Sequence, residues 1–241
     1  MTKLVVAFAF QESPWIRYRV EAINLGVDTT MHHKRNGASL AHGNLSSSSS
    51  KGAAEESTHR PGPDLAVPFA LRNALRPGDL GAIVSLHGIH YASECGFDST
   101  FEAYVARLLG EFVSARTDRD QLWIAEREGC LAGSIAIVSH SGRDAQLCWF
   151  LVDPSARSLG LGRRLLREAV AFCRHWQYEY VFLWNVNVLT TASCLFRSVG
   201  FEKVEERPIK SWGVTAVEEL YVLHPFGRRL KEPDDEPVRL V

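Results

Sequence analysis

No excess of charge of either sign marks this chain. Its 241 residues carry 27 lysines plus arginines against 28 aspartates plus glutamates, a formal net charge of −1 at neutral pH. The basic field that would gather nucleic acid is therefore missing. Cysteine is sparse too. The five present (Cys95, Cys130, Cys148, Cys173, Cys194) are scattered, odd in number and without the paired spacing of a metal site. They read as buried, reduced thiols of an intracellular protein rather than a disulfide framework. No apolar run approaches the length that crosses a bilayer. The apolar residues 4–10 are followed by Gln11-Glu12-Ser13-Pro14 and then Arg17 and Arg19, with no clear small-residue cleavage site. That argues against a secretory leader and for a cytoplasmic location. Neither a three-glycine dinucleotide fingerprint nor the Gly-Lys-Ser/Thr of a P-loop is present.

What the chain does have is core material. Apolar residues make up 46% of it, enough for one sizeable domain with an appendage. Residues 36–68 change character, through Ser46 to Ser50 and on to Pro61-Gly62-Pro63. Such a composition cannot bury enough apolar surface to order itself, so residues 1–68 read as a poorly ordered extension, with a short helix around residues 15–25. Residues 226–241 read as a loose tail. Between them, residues 69–225 form the domain.

Inside that domain the hydrophobic period alternates. Residues 69–73 suggest a short strand. Asp79 and Asp98 open two helices in which Ile83, Leu86 and His90, then Val105, Leu108, Leu109 and Phe112, recur at helical spacing. Residues 121–126 and 131–139 read as a hairpin turning at Glu128-Gly129, and residues 146–152 as a strand buried on both faces. A helix with a Leu161, Leu165, Ala169 and Phe172 stripe follows. Then come a strand over residues 180–184, a short helix over 189–199 and strands over 201–206 and 214–223. Three consecutive strands before the crossover helix exclude a doubly wound dinucleotide fold. They predict instead a mixed sheet with helices on both sides, a three-layer α/β/α sandwich.

The most informative run is Leu151-Val152-Asp153-Pro154-Ser155-Ala156-Arg157-Ser158-Leu159-Gly160-Leu161-Gly162-Arg163-Arg164, a strand, a small-residue turn and the start of an amphipathic helix. Glycines let the chain turn tightly and let a ligand approach the backbone without a Cβ in between. The first-turn N–H groups of the helix have no intrahelical acceptor and suit a pyrophosphate, and Arg157 and Arg163 add charge-assisted contacts.

This Arg157-x-x-Gly160-x-Gly162 pattern resembles the acetyl-CoA signature of the GCN5-related N-acetyltransferases (GNAT). So do Leu183-Trp184-Asn185-Val186-Asn187, the run from Leu195 to Phe201, and Glu219-Leu220-Tyr221. More narrowly, Leu75-Arg76-Pro77-Gly78-Asp79, Tyr91-x-x-Glu94-x-Gly96-Phe97-Asp98 and Trp123-Ile124-Ala125-Glu126 look like the acetyltransferase half of bacterial proteins that fuse a MarR-type winged helix to such a domain. The first 68 residues are too short and too serine-rich to conceal that winged helix, so DNA binding is not carried over.

The resemblance implies an acyl-CoA N-acyltransferase fold with a splayed central sheet. It implies acetyl-CoA as acyl-donor substrate and an amine of a small molecule, amino acid or protein as acceptor. The backbone of Phe150, Leu151 and Val152 would hold the pantetheine arm as an extra half-strand. The pyrophosphate would sit on Arg157, Leu159, Gly160, Leu161, Gly162 and Arg163. Asn187 is the expected polar contact, with Asn185 as its rival. Where the family commonly carries a tyrosine facing the sulfur this chain has Phe196, which can pack against the arm but cannot donate a proton. Ser193, Cys194, Ser198 and Tyr221 are the possible substitutes. This departure keeps a second reading open, an acyl-CoA-binding or regulatory module with weak or no transfer.

Glu94 is expected as the general base. His87 and His90, three apart on a helix, lack a third ligand, so no metal is expected. Trp149 and Trp184 read as core. A dimer through the apolar last strand is left open.

Overall fold

The computed structural model describes residues 69–140 and 143–226, together with the backbone of Val6–Ala7. The serine-rich extension, the helix read over residues 15–25 and the tail beyond residue 226 lie outside the described residues. The elements are β1 (Val6–Ala7), β2 (Ala70–Arg72), α1 (Asp79–Cys95), α2 (Ser99–Ala115), β3 (Gln121–Arg127), β4 (Cys130–Ser139) and β5 (Asp144–Val152), then α3 (Leu161–His175), β6 (Tyr180–Val186), α4 (Thr190–Ser198), β7 (Glu202–Ser211) and β8 (Val214–Leu223). Seven strands run in the order β2-β3-β4-β5-β6-β8-β7, and β1 pairs with β5 off this path. Only β5 and β6 are parallel among these pairs. The expected mixed sheet and three-layer sandwich are what the chain forms.

Local chemistry accounts for the boundaries. The β3–β4 turn places Glu128 and Gly129 at φ 54° and 79°, the left-handed pair that a two-residue hairpin needs. Asp98 caps α2 by accepting from the Thr100 N–H at 2.9 Å. Helix α1 ends at Gly96, whose N–H reaches the Ala92 carbonyl, while the Phe97 N–H reaches that of Tyr91. Arg72 ties β2 to α1 and β3 through Asp79 (2.6 Å) and Glu126 (2.8 Å).

Helices α1 and α2 cover one face of the sheet, and α3 and α4 the other. Phe112 of α2 meets Trp149, while Phe196 of α4 meets the next residue, Phe150. Tyr91, Phe101, Phe150, Trp184, Phe196 and Tyr221 are all fully buried. Each such side chain contributes about 1.5–3 kcal/mol of apolar burial. The expectation of buried cysteines holds for Cys148 and Cys173. Cys130 and Cys194 are exposed and Cys95 is half-buried, because Cys130 opens β4 at the hairpin turn and Cys194 lies on the outer side of the short α4.

One feature of the sheet prepares the site. Strands β5 and β6 pair only at Asp144↔Tyr180, Ala145↔Val181 and Gln146↔Phe182. Beyond those residues they part, and the remainder of β5 has an edge that β6 does not pair with.

Candidate active site

The parting of β5 and β6 is reinforced by a bulge. Ser134 of β4 pairs with Leu151, but Ala136 pairs with Cys148, so β5 carries one residue too many across this interval. Trp149 absorbs it at φ 43°, a left-handed conformation unusual for a bulky side chain. The Ser134 hydroxyl donates to the Trp149 carbonyl at 2.7 Å and holds the distortion. Sequence reasoning placed Trp149 in the core, and its ring is buried, but its backbone has a second consequence. It bends β5 where β6 departs.

At the end of β5 the chain makes the glycine turn. Asp153 accepts from the Ser155 N–H at 2.8 Å and lies 3.3 Å from His90 Nε2, joining the turn to α1. Ser158 and Gly160 take φ 64° and 80°. Gly160 starts α3 without a side-chain cap, and the Arg164 N–H donates to the Gly160 carbonyl at this end. The N–H groups of Leu161, Gly162 and Arg163 precede it, at the positive end of a 15-residue helix. Gly162 is there for close approach. A Cβ would lie 3.1 Å from Leu195 Cδ2 and 3.6 Å from both Phe150 and Val152. The glycine therefore seats the first turn of α3 directly on the end of β5.

The cofactor residues expected from the sequence thus come together at one end of the gap. Phe150, Leu151 and Val152 form the end of β5, and Leu159, Gly160, Leu161, Gly162 and Arg163 form the turn, with Leu159 and Arg163 exposed. Arg157 packs under this turn with its side chain 6% exposed, donating from Nε to the Val152 carbonyl at 3.2 Å. Phe196 reaches the gap from α4, its ring 5.8 Å from Phe150 and 6.0 Å from Tyr221. Asn187 continues the β6–β8 ladder. Its N–H donates to the Val217 carbonyl and its Oδ1 accepts from the Val217 N–H.

Two placements differ from what spacing suggested. Glu94 is engaged with Arg157, accepting from NH2 at 2.6 Å and from NH1 at 3.1 Å. That contact sets it beside the glycine turn. Asn185 turns to the α4 side, where it donates to Ser193 Oγ at 3.0 Å, in a chain that continues to Glu219 and Tyr221. Strand β1 also lies along the gap. Val6 pairs with Leu151 and Ala7 with Phe150, on the backbone that the resemblance gives to the pantetheine arm.

The β7–β8 hairpin folds over α1 and α2. Trp212 at its tip packs on Phe97, Phe101 and Tyr104 at centroid distances of 5.1, 5.2 and 5.6 Å. The same hairpin sets Arg207 opposite Glu218. Arg207 Nε donates to Glu218 Oε2 at 2.9 Å, and its guanidinium lies 4.2 Å from the centre of the Trp184 ring. Glu218 is fully buried, and its Oε1 has no hydrogen-bond partner among the described residues. Burial pushes its carboxyl up, against the pull of Arg207. Sequence reasoning missed this pair, although counting outward from Trp212-Gly213 as a two-residue turn does place residue 207 against 218.

His87 is buried beneath α1. Its Nδ1 donates to the Ile83 carbonyl at 2.8 Å, and burial pulls its pKa down to about 4. Among the described residues no group of three metal-ligating side chains converges, and no helix is long and apolar enough to cross a membrane.

A splayed mixed sheet with a bulged central strand, ending in a glycine turn and a helix N-terminus, is the fold of the acyl-CoA N-acyltransferases. Solved structures share it. The protein yncA from Salmonella typhimurium, determined with acetyl-CoA, superposes with a TM-score of 0.56 at 16% identity, over 70% of this chain and 99% of that one. The ribosomal-protein-alanine N-acetyltransferase from Brucella melitensis gives 0.53 at 20% identity, over 64% and 99%. An N-acetyltransferase from Staphylococcus aureus gives 0.56 at 15%, over 65% and 98%. No curated protein matches the chain. Residues 86–201 match the acetyltransferase (GNAT) family. Over that stretch the chain is similar to the acetyltransferase domains of the GNAT family, whose members use acetyl-CoA.

Proposed function

We propose that this protein transfers the acetyl group of acetyl-CoA to a primary amine of a small molecule, amino acid or protein by direct attack. The observation that carries the reading is the coincidence of two features at one place. The bulged edge of β5 that β6 leaves runs directly into the glycine turn and the N-terminus of α3. The pantetheine arm then lies along Phe150, Leu151 and Val152, and the pyrophosphate meets the N–H groups of Leu161, Gly162 and Arg163 with Arg157 beside them. A backbone N–H at the bulge polarises the thioester carbonyl, which costs no reorganisation during the reaction.

The arm and β1 require the same backbone groups of Phe150 and Leu151, so they occupy this edge in turn. Glu94, through its two contacts with Arg157, orients the guanidinium toward the phosphate end. Phe196 packs against the arm and leaves protonation of the sulfur to other groups.

The runs over residues 75–79, 91–98 and 123–126 support a resemblance to the acetyltransferase half of the MarR-type fusion proteins. A second reading, an acyl-CoA-binding module without turnover, is favoured by Phe196, which stands in α4 with no hydroxyl. Calorimetric titration with acetyl-CoA, combined with thiol release in the presence of an amine panel, separates the two. Binding with amine-dependent release supports transfer, and binding without release supports the module.

A further inference from the structure

We infer that Glu218 is the group that takes the ammonium proton from the acceptor amine. The inference rests on the transfer reading above and assigns one role within it.

Position comes first. Glu218 stands on β8 opposite Val186, the last residue of β6, at the end of the sheet where β6 has left β5. Side chains alternate along these strands. Asn185, Glu219 and Tyr221 turn to the α4 side, as their bonds with Ser193 and with one another show. Trp184 and Glu218 turn to the other side, where Arg207 touches both. That is the side covered by α1 and α2. Tyr104 of α2 interacts electrostatically with both Glu218 and Cys148 of β5. Burial pushes both the Tyr104 phenol and the Cys148 thiol up, and both stay neutral. The charged and titratable groups that act on or with Glu218 are therefore Arg207 from β7 and Tyr104 from α2.

The carboxylate is half satisfied. Oε2 is held by Arg207, while Oε1 is buried without a hydrogen bond among the described residues. A fold gains nothing by leaving a carboxylate oxygen dry, and an incoming ammonium group would repair it. Arg207 holds the carboxylate in place through Oε2 and leaves Oε1 for the substrate, a positioning role. Burial raises the proton affinity of Glu218, as suits a base working near neutral pH. Glu94 differs, because both of its oxygens accept from the Arg157 fork.

The step balances. An ammonium R–NH3+ gives one proton to the Glu218 carboxylate and becomes R–NH2. The nitrogen lone pair forms a bond to the thioester carbonyl carbon, and the carbon–sulfur bond breaks. The departing CoA thiolate takes the second proton lost by nitrogen. Glu218 returns its proton to water.

The test uses the full chain, acetyl-CoA and a panel of primary amines, with thiol release followed from about pH 6 to about pH 9. For the wild type, kcat/KM rises with pH through an acidic limb. Glu218→Gln lowers kcat at pH 7 by on the order of 100-fold, in the range expected for loss of a general base. It leaves acetyl-CoA binding within about twofold and recovers as pH rises and solvent supplies neutral amine. With hydroxylamine, whose nitrogen is already neutral at pH 7, the variant matches the wild type. Arg207→Gln keeps the carboxylate but removes its counter-charge, and moves the acidic limb up by about one unit. If Glu218→Gln does not fold, this shift carries the test.

An unmoved limb in Glu218→Gln or in Arg207→Gln would overturn the assignment. So would an equal loss with hydroxylamine, which marks a structural role, or disappearance of the limb in Glu94→Gln, which gives the proton to that residue. A wild-type chain that binds acetyl-CoA but releases no thiol with any amine would overturn the transfer reading, and this assignment with it.

Discussion

Glu94 and Arg157, 63 positions apart in the chain, form a two-pronged ion pair with contacts of 2.6 and 3.1 Å at the base of the glycine turn. The pair links α1 to the segment between β5 and α3. The guanidinium is thereby fixed at the glycine turn, where the pyrophosphate is proposed to bind. Arg157→Ala removes a charged contact and weakens acetyl-CoA binding by about tenfold. Glu94→Gln releases the guanidinium from its orientation and weakens binding less, by roughly threefold, comparable to one net hydrogen bond. Calorimetry on both variants checks the order. Tighter binding by Glu94→Gln would show that the carboxylate competes with phosphate instead of placing the arginine.

Gly162 lets α3 pack closely against Leu195 of α4 as well as against the end of β5. Gly162→Val drives a branched side chain into Leu195, Phe150 and Val152, and α3 must move outward. The variant is expected to lose 1–3 kcal/mol, roughly the penalty of overpacking, and to bind acetyl-CoA at least about tenfold more weakly. Urea unfolding measures the first effect and calorimetry the second. Stability lost with affinity intact would separate the helix N-terminus from the donor site.

Strand β1 pairs with Phe150 and Leu151, the backbone proposed above to hold the donor. Its removal frees that edge. Deleting residues 1–10 is therefore expected to tighten acetyl-CoA binding by roughly fivefold, about the net worth of one hydrogen bond. Unchanged affinity would mean that β1 and the pantetheine arm do not compete.

His87 makes stability depend on pH. In the folded chain burial holds its pKa down to about 4, against 6.5 for an ordinary histidine. Between those values the unfolded chain binds a proton that the folded chain refuses, so stability rises with pH across that window. The contribution is complete above pH 6.5 and is lost toward pH 4, with a total of about 3 kcal/mol. Urea unfolding at pH 5 and pH 7 should show this slope in the wild type, with a shallower slope in His87→Gln. Equal slopes would place the acid sensitivity elsewhere.

Much of this architecture is legible in the sequence because local chemistry dictates it. Glu128-Gly129 must turn, Asp98 must cap, and an apolar run over residues 146–152 must be a buried strand. The glycine turn after β5 and the helix start that follows it are readable from backbone needs alone. What is hidden depends on register and long-range approach. The bulge at Trp149 arises from a mismatch in pairing between β4 and β5, which residue types do not reveal. Glu94 meets Arg157 only because α1 crosses the end of β5. Glu218 carries no mark that distinguishes it from Glu219, its neighbour. Strand alternation sends one toward α1 and α2 and the other toward α4, and only the fold shows which faces the gap. Strand β1 has no sequence signal at all beyond a short apolar run.

The central claim is that the end of β5 and the start of α3 bind acetyl-CoA for transfer to an amine. Calorimetric titration of the wild type and Gly162→Glu with acetyl-CoA, run beside thiol release with an amine panel, tests it most directly. The account predicts saturable binding that Gly162→Glu abolishes, and thiol release that depends on the amine. Absence of acetyl-CoA binding by the wild-type chain would contradict it.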